Sequence, residues 1–228
     1  MSDYGPRSGL CCGRAARGIA AALVAASVLG SPGIAEGYRR GLASSVGGAS
    51  LGRGHVAWIG LGYPRAALGW GVAVHQRVDL LLEAEAAFGH PAQSDRLIWG
   101  GGGGLTLRVG VLRGRTSLAL SARAAATVYA EGGGVAVLLD LLSPGVELSL
   151  RLSPIVALHA SLRVPLHYLT QPPSFGGGYE ARCGVSVVVW RDLAVFTVIG
   201  AGATLWSVHG AGSPRVEAVA GIEYRILP

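Results

Sequence analysis

From residue 55 onward the chain alternates apolar and polar side chains with a period of two. In Val78–Phe88, Leu80, Leu82, Ala84, Ala86 and Phe88 fall on one side, and Asp79, Leu81, Glu83, Glu85 and Ala87 on the other. Successive side chains of a strand point to opposite faces, so this run predicts a strand with one greasy and one acidic face; a helix would smear both sets around its circumference. The same grammar recurs. Residues 105–111 set Leu105, Leu107, Val109 and Val111 against Thr106 and Arg108, and residues 117–129 set Leu118, Leu120, Ala122 and Val128 against Ser121, Arg123 and Thr127. Residues 146–152 set Val146, Leu148 and Leu150 against Glu147 and Arg151. Residues 156–168 oppose Val156, Leu158, Leu162 and Val164 to His159, Ser161, Arg163 and His167, and residues 216–226 oppose Val216, Ile222, Tyr224 and Ile226 to Glu217, Glu223 and Arg225. Residues 193–206 alternate poorly, and their faces stay unassigned.

The connections predict how these strands assemble. Tight links at His75–Val78, Leu112–Arg115, Leu152–Ile155 and Trp190–Leu193 alternate with longer Gly/Pro/Ser-rich ones at Gly89–Arg96, Ala130–Pro144, Leu169–Gly178 and Ser207–Pro214. Short turns on one side and longer loops on the other are the habit of membrane-spanning barrels. The segments 55–63, 66–75, 78–88, 97–111, 116–129, 145–152, 155–168, 179–190, 193–206 and 215–227 give ten strands; an eight- or twelve-strand count is also compatible, the latter drawing on residues 36–54. The expected fold is therefore all-β, an antiparallel up-and-down transmembrane β-barrel over residues 55–228. Tyr63, Phe88, Trp99, Tyr129, Tyr168, Tyr179 and Trp206 fall at strand ends beside the longer links, where amphipathic rings would form an interfacial girdle. Pro165 requires a bulge or an earlier strand end, and Gly100–Gly104 is either loop or room for close packing. The apolar run Gly184–Trp206 reads as a hairpin and not a membrane helix, because Arg191 and Asp192 interrupt it.

The polar parity places Asp79, Glu83, Glu85, Glu147, Glu180, Glu217 and Glu223 on the inside with Arg108, Arg123, Arg151, Arg163, Arg182 and Arg225, and His159 beside them. Unpaired buried charges are costly, so these groups are expected to pair across a salt-bridged lumen. With this pattern the chain resembles bacterial outer-membrane β-barrel proteins of the small OmpA/OmpX/OmpW-like kind. The closing run Gly221–Pro228 keeps Tyr224 and Ile226 in the alternation, although Leu227 and Pro228 depart from the terminal aromatic such proteins commonly carry. The resemblance implies outer-membrane lipid, the barrel-assembly machinery and periplasmic chaperones as partners.

Composition narrows the chemistry. Half of the 228 residues are apolar and only 14% charged, which excludes a disordered chain. There is no Lys, so no phosphate-binding Gly-Lys-Ser/Thr loop exists, and no Gly-x-Gly-x-x-Gly occurs among 37 glycines. The Cys and His residues lack zinc-ligand spacing, and the net charge of +6 is not gathered into a basic stripe. No cofactor, metal or nucleic-acid partner is expected. His159 and Ser161 share a face, with Glu180 as a candidate third member, in a weak echo of outer-membrane lipid deacylases. The expected role is structural, in the envelope and without catalysis; a small pore or carrier is the alternative, and a deacylase-like hydrolase a third reading.

Residues 1–35 read as a secretory signal peptide. Arg7, Arg14 and Arg17 precede the apolar run Ile19–Leu29, and small residues with Pro32 follow up to Ala35. The run is too short to span a bilayer, which takes about 20 residues. Residues 36–54 then form a periplasmic segment or an extra strand. N-terminal sequencing of the exported protein should start at Glu36; a retained leader would contradict the export signal.

Overall fold

The computed structural model describes residues 45–88, 99–131, 134–207 and 212–226. The proposed leader and residues 36–44 lie outside the described residues. So do 89–98, 132–133, 208–211 and the last two residues.

The described chain is built from antiparallel strands. They are β1 (His55–Tyr63), β2 (Arg65–His75), β3 (Val78–Phe88), β4 (Trp99–Leu112), β5 (Thr116–Glu131) and β6 (Gly134–Arg151), then β7 (Val156–Arg163), β8 (Leu166–Thr170), β9 (Pro173–Trp190), β10 (Leu193–Trp206) and β11 (Gly212–Ile226). Each pairs with the next except β7 with β8, and β1 pairs with β11 from His55↔Ile226 to Tyr63↔Ala218, which closes the cylinder. Strands β7 and β8 share one stave between β6 and β9, so the barrel has ten staves. The break between them falls at Pro165, whose nitrogen has no hydrogen to donate to a ladder. Pro144 sits opposite on β6, and its carbonyl accepts the Val164 amide at 2.9 Å, bridging the irregularity.

The period-two pattern sorts the faces. On β3, Asp79, Leu81 and Ala87 are buried while Leu82 is 53% exposed on the outer wall. Leu105, Leu107, Leu120, Val146, Leu158, Leu162 and Ile222 are likewise exposed outside, and Arg108, Ser121, Glu147, His159 and Glu223 are buried inside. A continuous coat of exposed large apolar side chains around a closed polar interior is the reverse of a water-soluble barrel and the design of a transmembrane one. In β10 both faces are apolar: Phe196 and Val198 point inward, Val195, Ile199 and Leu205 outward. This is why its sequence shows no alternation.

Two expectations are corrected, and one choice between readings is resolved. Ala130–Pro144 and Leu169–Gly178 are not loops, since β5, β6, β8 and β9 run through most of both segments. A spanning strand needs about 9–11 residues. At 18 residues, β6 and β9 overshoot it and raise one side of the barrel well above the β1–β3 side. Gly100–Gly104 lies within β4, inside the expected strand 97–111, and of its two readings the close-packing one holds: its inward glycines make room for neighbours. A Cβ on Gly104 would sit 3.2 Å from an Arg123 guanidinium nitrogen, and one on Gly100 would sit 2.7 Å from the Tyr129 ring. Finally, Tyr63, Trp99 and Tyr179 face outward as girdle rings should, but Tyr129 and Trp206 point into the lumen, 6% and 2% exposed.

The outer coat generates a depth-graded prediction. Leu107→Arg, in the middle of the wall, should lower the unfolding free energy in lipid by about 2–4 kcal/mol, and Leu152→Arg, beside a tight turn, by about 0–1 kcal/mol. Urea titration followed by the heat-dependent gel mobility of the folded barrel measures both; equal losses would deny that the wall lies in lipid.

Candidate functional site

The lumen is filled in three layers. At the tight-turn end the filling is a piece of main chain. Residues 45–51 run inside the cylinder, where Gly47, Gly48, Ala49 and Leu51 are buried. Neither a free periplasmic segment nor an added strand is formed by these residues. The geometry explains their composition: a Cβ on Gly47 would overlap the His159 ring and Ser149 Oγ, and one on Gly48 would overlap the Glu147 carbonyl. Only glycine lets the segment lie this close to β6 and β7.

The segment is held through its peptide groups by charges on the wall. Asp79 accepts the Leu51 amide at 3.1 and 3.2 Å, and Arg108 Nη1 donates to the Gly47 carbonyl at 2.7 Å. Glu223 accepts the Ser45 amide at 2.8 Å and the Ser45 hydroxyl, while Arg225 donates to the Leu51 carbonyl. Arg108 and Asp79 are themselves paired at 2.9 Å with both side chains fully buried, and Arg108 also reaches Glu147 at 3.6 Å. Leu51 completes the layer by packing on Val56 and Leu81, with Trp58 and Ala73 alongside.

The middle layer is a belt of ion pairs. Arg65 at the start of β2 bonds Glu83 at 2.8 Å, Glu85 at 3.0 Å and Glu217 at 3.2 Å. Across the glycines of β4, Arg123 reaches Glu83 at 3.1 Å and Glu85 at 3.5 Å, and Asp140 on β6 at 3.2 Å. Arg182 pairs with Glu180 at 2.6 Å and Glu217 at 2.8 Å, and Arg163 with Glu147 at 2.8 Å. Between belt and plug lies a cavity of about 60 Å³, lined on one side by Arg65, Arg163 and Glu217 and on the other by Trp58, Phe196 and Val219. The third layer is apolar and occupies the raised part of the barrel: Tyr129, Leu138, Leu169 and Trp206, with Ala87 and Ala136.

The structure thus brings together Asp79, Arg108, Glu147, Glu223 and Arg225 around the plug, and Glu83, Glu85, Arg123, Arg163, Glu180, Arg182 and Glu217 in the belt. Arg151 stands apart, since its inward guanidinium folds onto the Ser153 and Pro154 carbonyls of its own turn at 3.1 Å each. Sequence reasoning missed Arg65, which precedes the predicted strand, and Asp140, which lay in a predicted loop. Arg215 also follows the inward parity of β11. With these three the lumen-facing acids and arginines number eight each among the described residues.

His159 does not form the acid–base pair its spacing suggested. Its Nδ1 lies 2.8 Å from Ser149 Oγ and its Nε2 2.7 Å from Ser186 Oγ, beneath Gly47, whereas Ser161 is not its partner and Glu180 is committed to Arg182. Both ring nitrogens are engaged on serine hydroxyls without a carboxylate to orient them. Among the described residues no group of His, Cys, Asp and Glu is arranged to hold a metal.

No family model matches the chain, and no curated protein matches it. Among solved structures, it is similar to the outer membrane protease OmpT from Escherichia coli at 7% sequence identity, with a TM-score of 0.49, over 75% of this chain and 93% of that one. By its own geometry this chain is a ten-stave transmembrane β-barrel with a filled interior.

Removing one partner of a buried ion pair typically costs about 3–5 kcal/mol because the other charge is left uncompensated. Asp79→Asn strips Arg108 of its close carboxylate and should cost on that order in urea unfolding. It should also speed hydrogen exchange at the Leu51 amide. Unchanged stability and exchange would show that the pair does not hold the segment.

Proposed function

We propose that this chain is a closed, structural barrel of the bacterial outer membrane, contributing to the envelope by its wall and not by conduction. The observation that carries the reading is the threefold filling of the lumen by a main-chain plug, an ion-pair belt and an apolar cap. Plug and belt are built from groups that bond to one another, so displacing either exposes unpaired charge, and displacing the cap exposes apolar surface. The cavity of about 60 Å³ between belt and plug suits a few waters and not a transported solute. Outer-membrane lipid around the wall follows from the apolar coat. The barrel-assembly machinery and periplasmic chaperones are the partners that insertion of such a barrel requires, after export directed by residues 1–35.

Single-channel recording of the purified, refolded protein in planar bilayers tests the reading. Wild type and Asp79→Asn should both stay at the baseline of a protein-free membrane, because the belt and the apolar cap still close the lumen when the plug is loosened. Steady conductance by the wild type would replace the structural role with that of a small pore. Conductance by Asp79→Asn alone would make the plug a gate.

A further inference from the structure

Among the described residues the charges outside the lumen gather at one end of the barrel. Among the described residues every exposed arginine lies at the tight-turn end: Arg53 before β1, Arg77 between β2 and β3, Arg113 and Arg115 between β4 and β5, and Arg191 between β9 and β10. The only acid in those turns is Asp192, which is half-buried. Lumen charges balance; these do not. Arg113 donates to Ser50 Oγ at 2.8 Å and Arg115 to the Arg151 carbonyl at 3.2 Å, so both are tied to the rim. Arg53, Arg77 and Arg191 take part in no ion pair among the described residues. These three cations have no carboxylate counterpart within the described chain.

A second observation sets their level relative to the bilayer. Trp190 is 69% and Tyr224 51% exposed on the outer wall, and they stand on either side of Leu193 in the ladder, beside the Arg191 turn. Rings with an apolar body and a polar edge settle at the membrane–water boundary. The arginines, one turn further out, then fall at the depth of lipid phosphates. A guanidinium donates two parallel hydrogen bonds to a phosphate, and each Arg near an anionic surface adds to the electrostatic attraction.

We infer that this arginine rim binds the headgroups of anionic phospholipids in the leaflet that meets the tight turns. The contact would fix the height and tilt of the barrel in the bilayer from below, where the strands end close to the membrane boundary. The inference rests on the membrane reading above and adds to it a lipid class and a side.

The test uses the whole refolded protein in nanodiscs of equal phosphatidylcholine and phosphatidylglycerol, with release into native mass spectrometry to count the lipids retained. Wild type should keep the anionic lipid over the zwitterionic one by about threefold at low salt, and the preference should fall toward parity in 0.5 M NaCl as the charges are screened. Arg53→Gln/Arg77→Gln/Arg191→Gln, which touches neither lumen nor plug, should bring the ratio to about one even at low salt. Heat-dependent gel mobility of each sample reports insertion separately. Failure to insert into either lipid would overturn the membrane reading. Normal insertion with equal retention of both lipids, or a preference that survives the triple substitution, would overturn the rim alone. Equal lipid retention combined with arginine-dependent sedimentation on purified peptidoglycan would also overturn it and assign the rim to that polymer.

Discussion

A charge cannot face hydrocarbon in the middle of this wall, and the rest of the structure is arranged around that exclusion. A guanidinium at the bilayer midplane costs about 2–4 kcal/mol, and the lumen-facing strands carry eight arginines. Because side chains alternate with a period of two, sliding any strand by one residue would turn its whole charged set outward. The register of β3 against β4, with Asp79 opposite Arg108 and Leu80 opposite Leu107, is therefore enforced from both sides. Lipid rejects the charges, and the lumen offers them partners.

That makes the ion pairs devices of register more than of stability. A buried pair is often no better than apolar side chains of the same volume, since desolvation offsets most of the Coulombic gain. A mismatched pair is far worse. Arg65 illustrates the point: it meets Glu83, Glu85 and Glu217, so it ties β2 to β3 and, across β1, to β11. Glu83 and Glu85 come to it from the neighbouring strand β3, and only correct closure of the cylinder adds Glu217 from β11. An incorrect closure loses that contact across the seam, and so the belt favours one topology.

How much of this the sequence disclosed follows from the same exclusion. Wherever one face had to be polar, as in β3, β4, β7 and β11, alternation revealed strand and face together, and with them which charges share the lumen. Where the lumen is lined by Phe196 and Val198, both faces of β10 are apolar, and periodicity carries no sign. The apolar stretch 134–142 was opaque for a related reason: it lines an apolar cap inside and apolar surroundings outside. Asp140 is its single charge, and one charge does not reveal a period. The plug was hidden more deeply, because residues 45–51 are small, uncharged and of no regular structure. They are recognised only by the glycines that a neighbouring wall demands, and that wall is assembled from β6 and β7, about a hundred residues further along.

The plug also answers a question of size. Eight strands enclose an interior that side chains alone can fill, and diameter grows about linearly with strand number. Ten staves leave more room than ordinary side chains span, so a closed barrel of this width needs either an added segment or unusually long reach from the wall. This chain uses both. The backbone of 45–51 occupies the lower lumen, where the wall supplies peptide-binding charges. Higher up, arginine is the only cation employed, on a wall whose facing strand β4 is stripped to glycine so that Arg123 on β5 can reach Glu83 on β3. A lysine could cover a similar distance but would bring a single point charge; the guanidinium's planar fork allows Arg123 to meet Asp140 through one nitrogen and Glu83 through another. A wall evolved to pass solute would keep such reach at its margins and leave the axis open. Here the arginines reach carboxylates one or two staves away along the inner wall, and the backbone of 45–51, buried inside the cylinder, occupies the space that a solute would need.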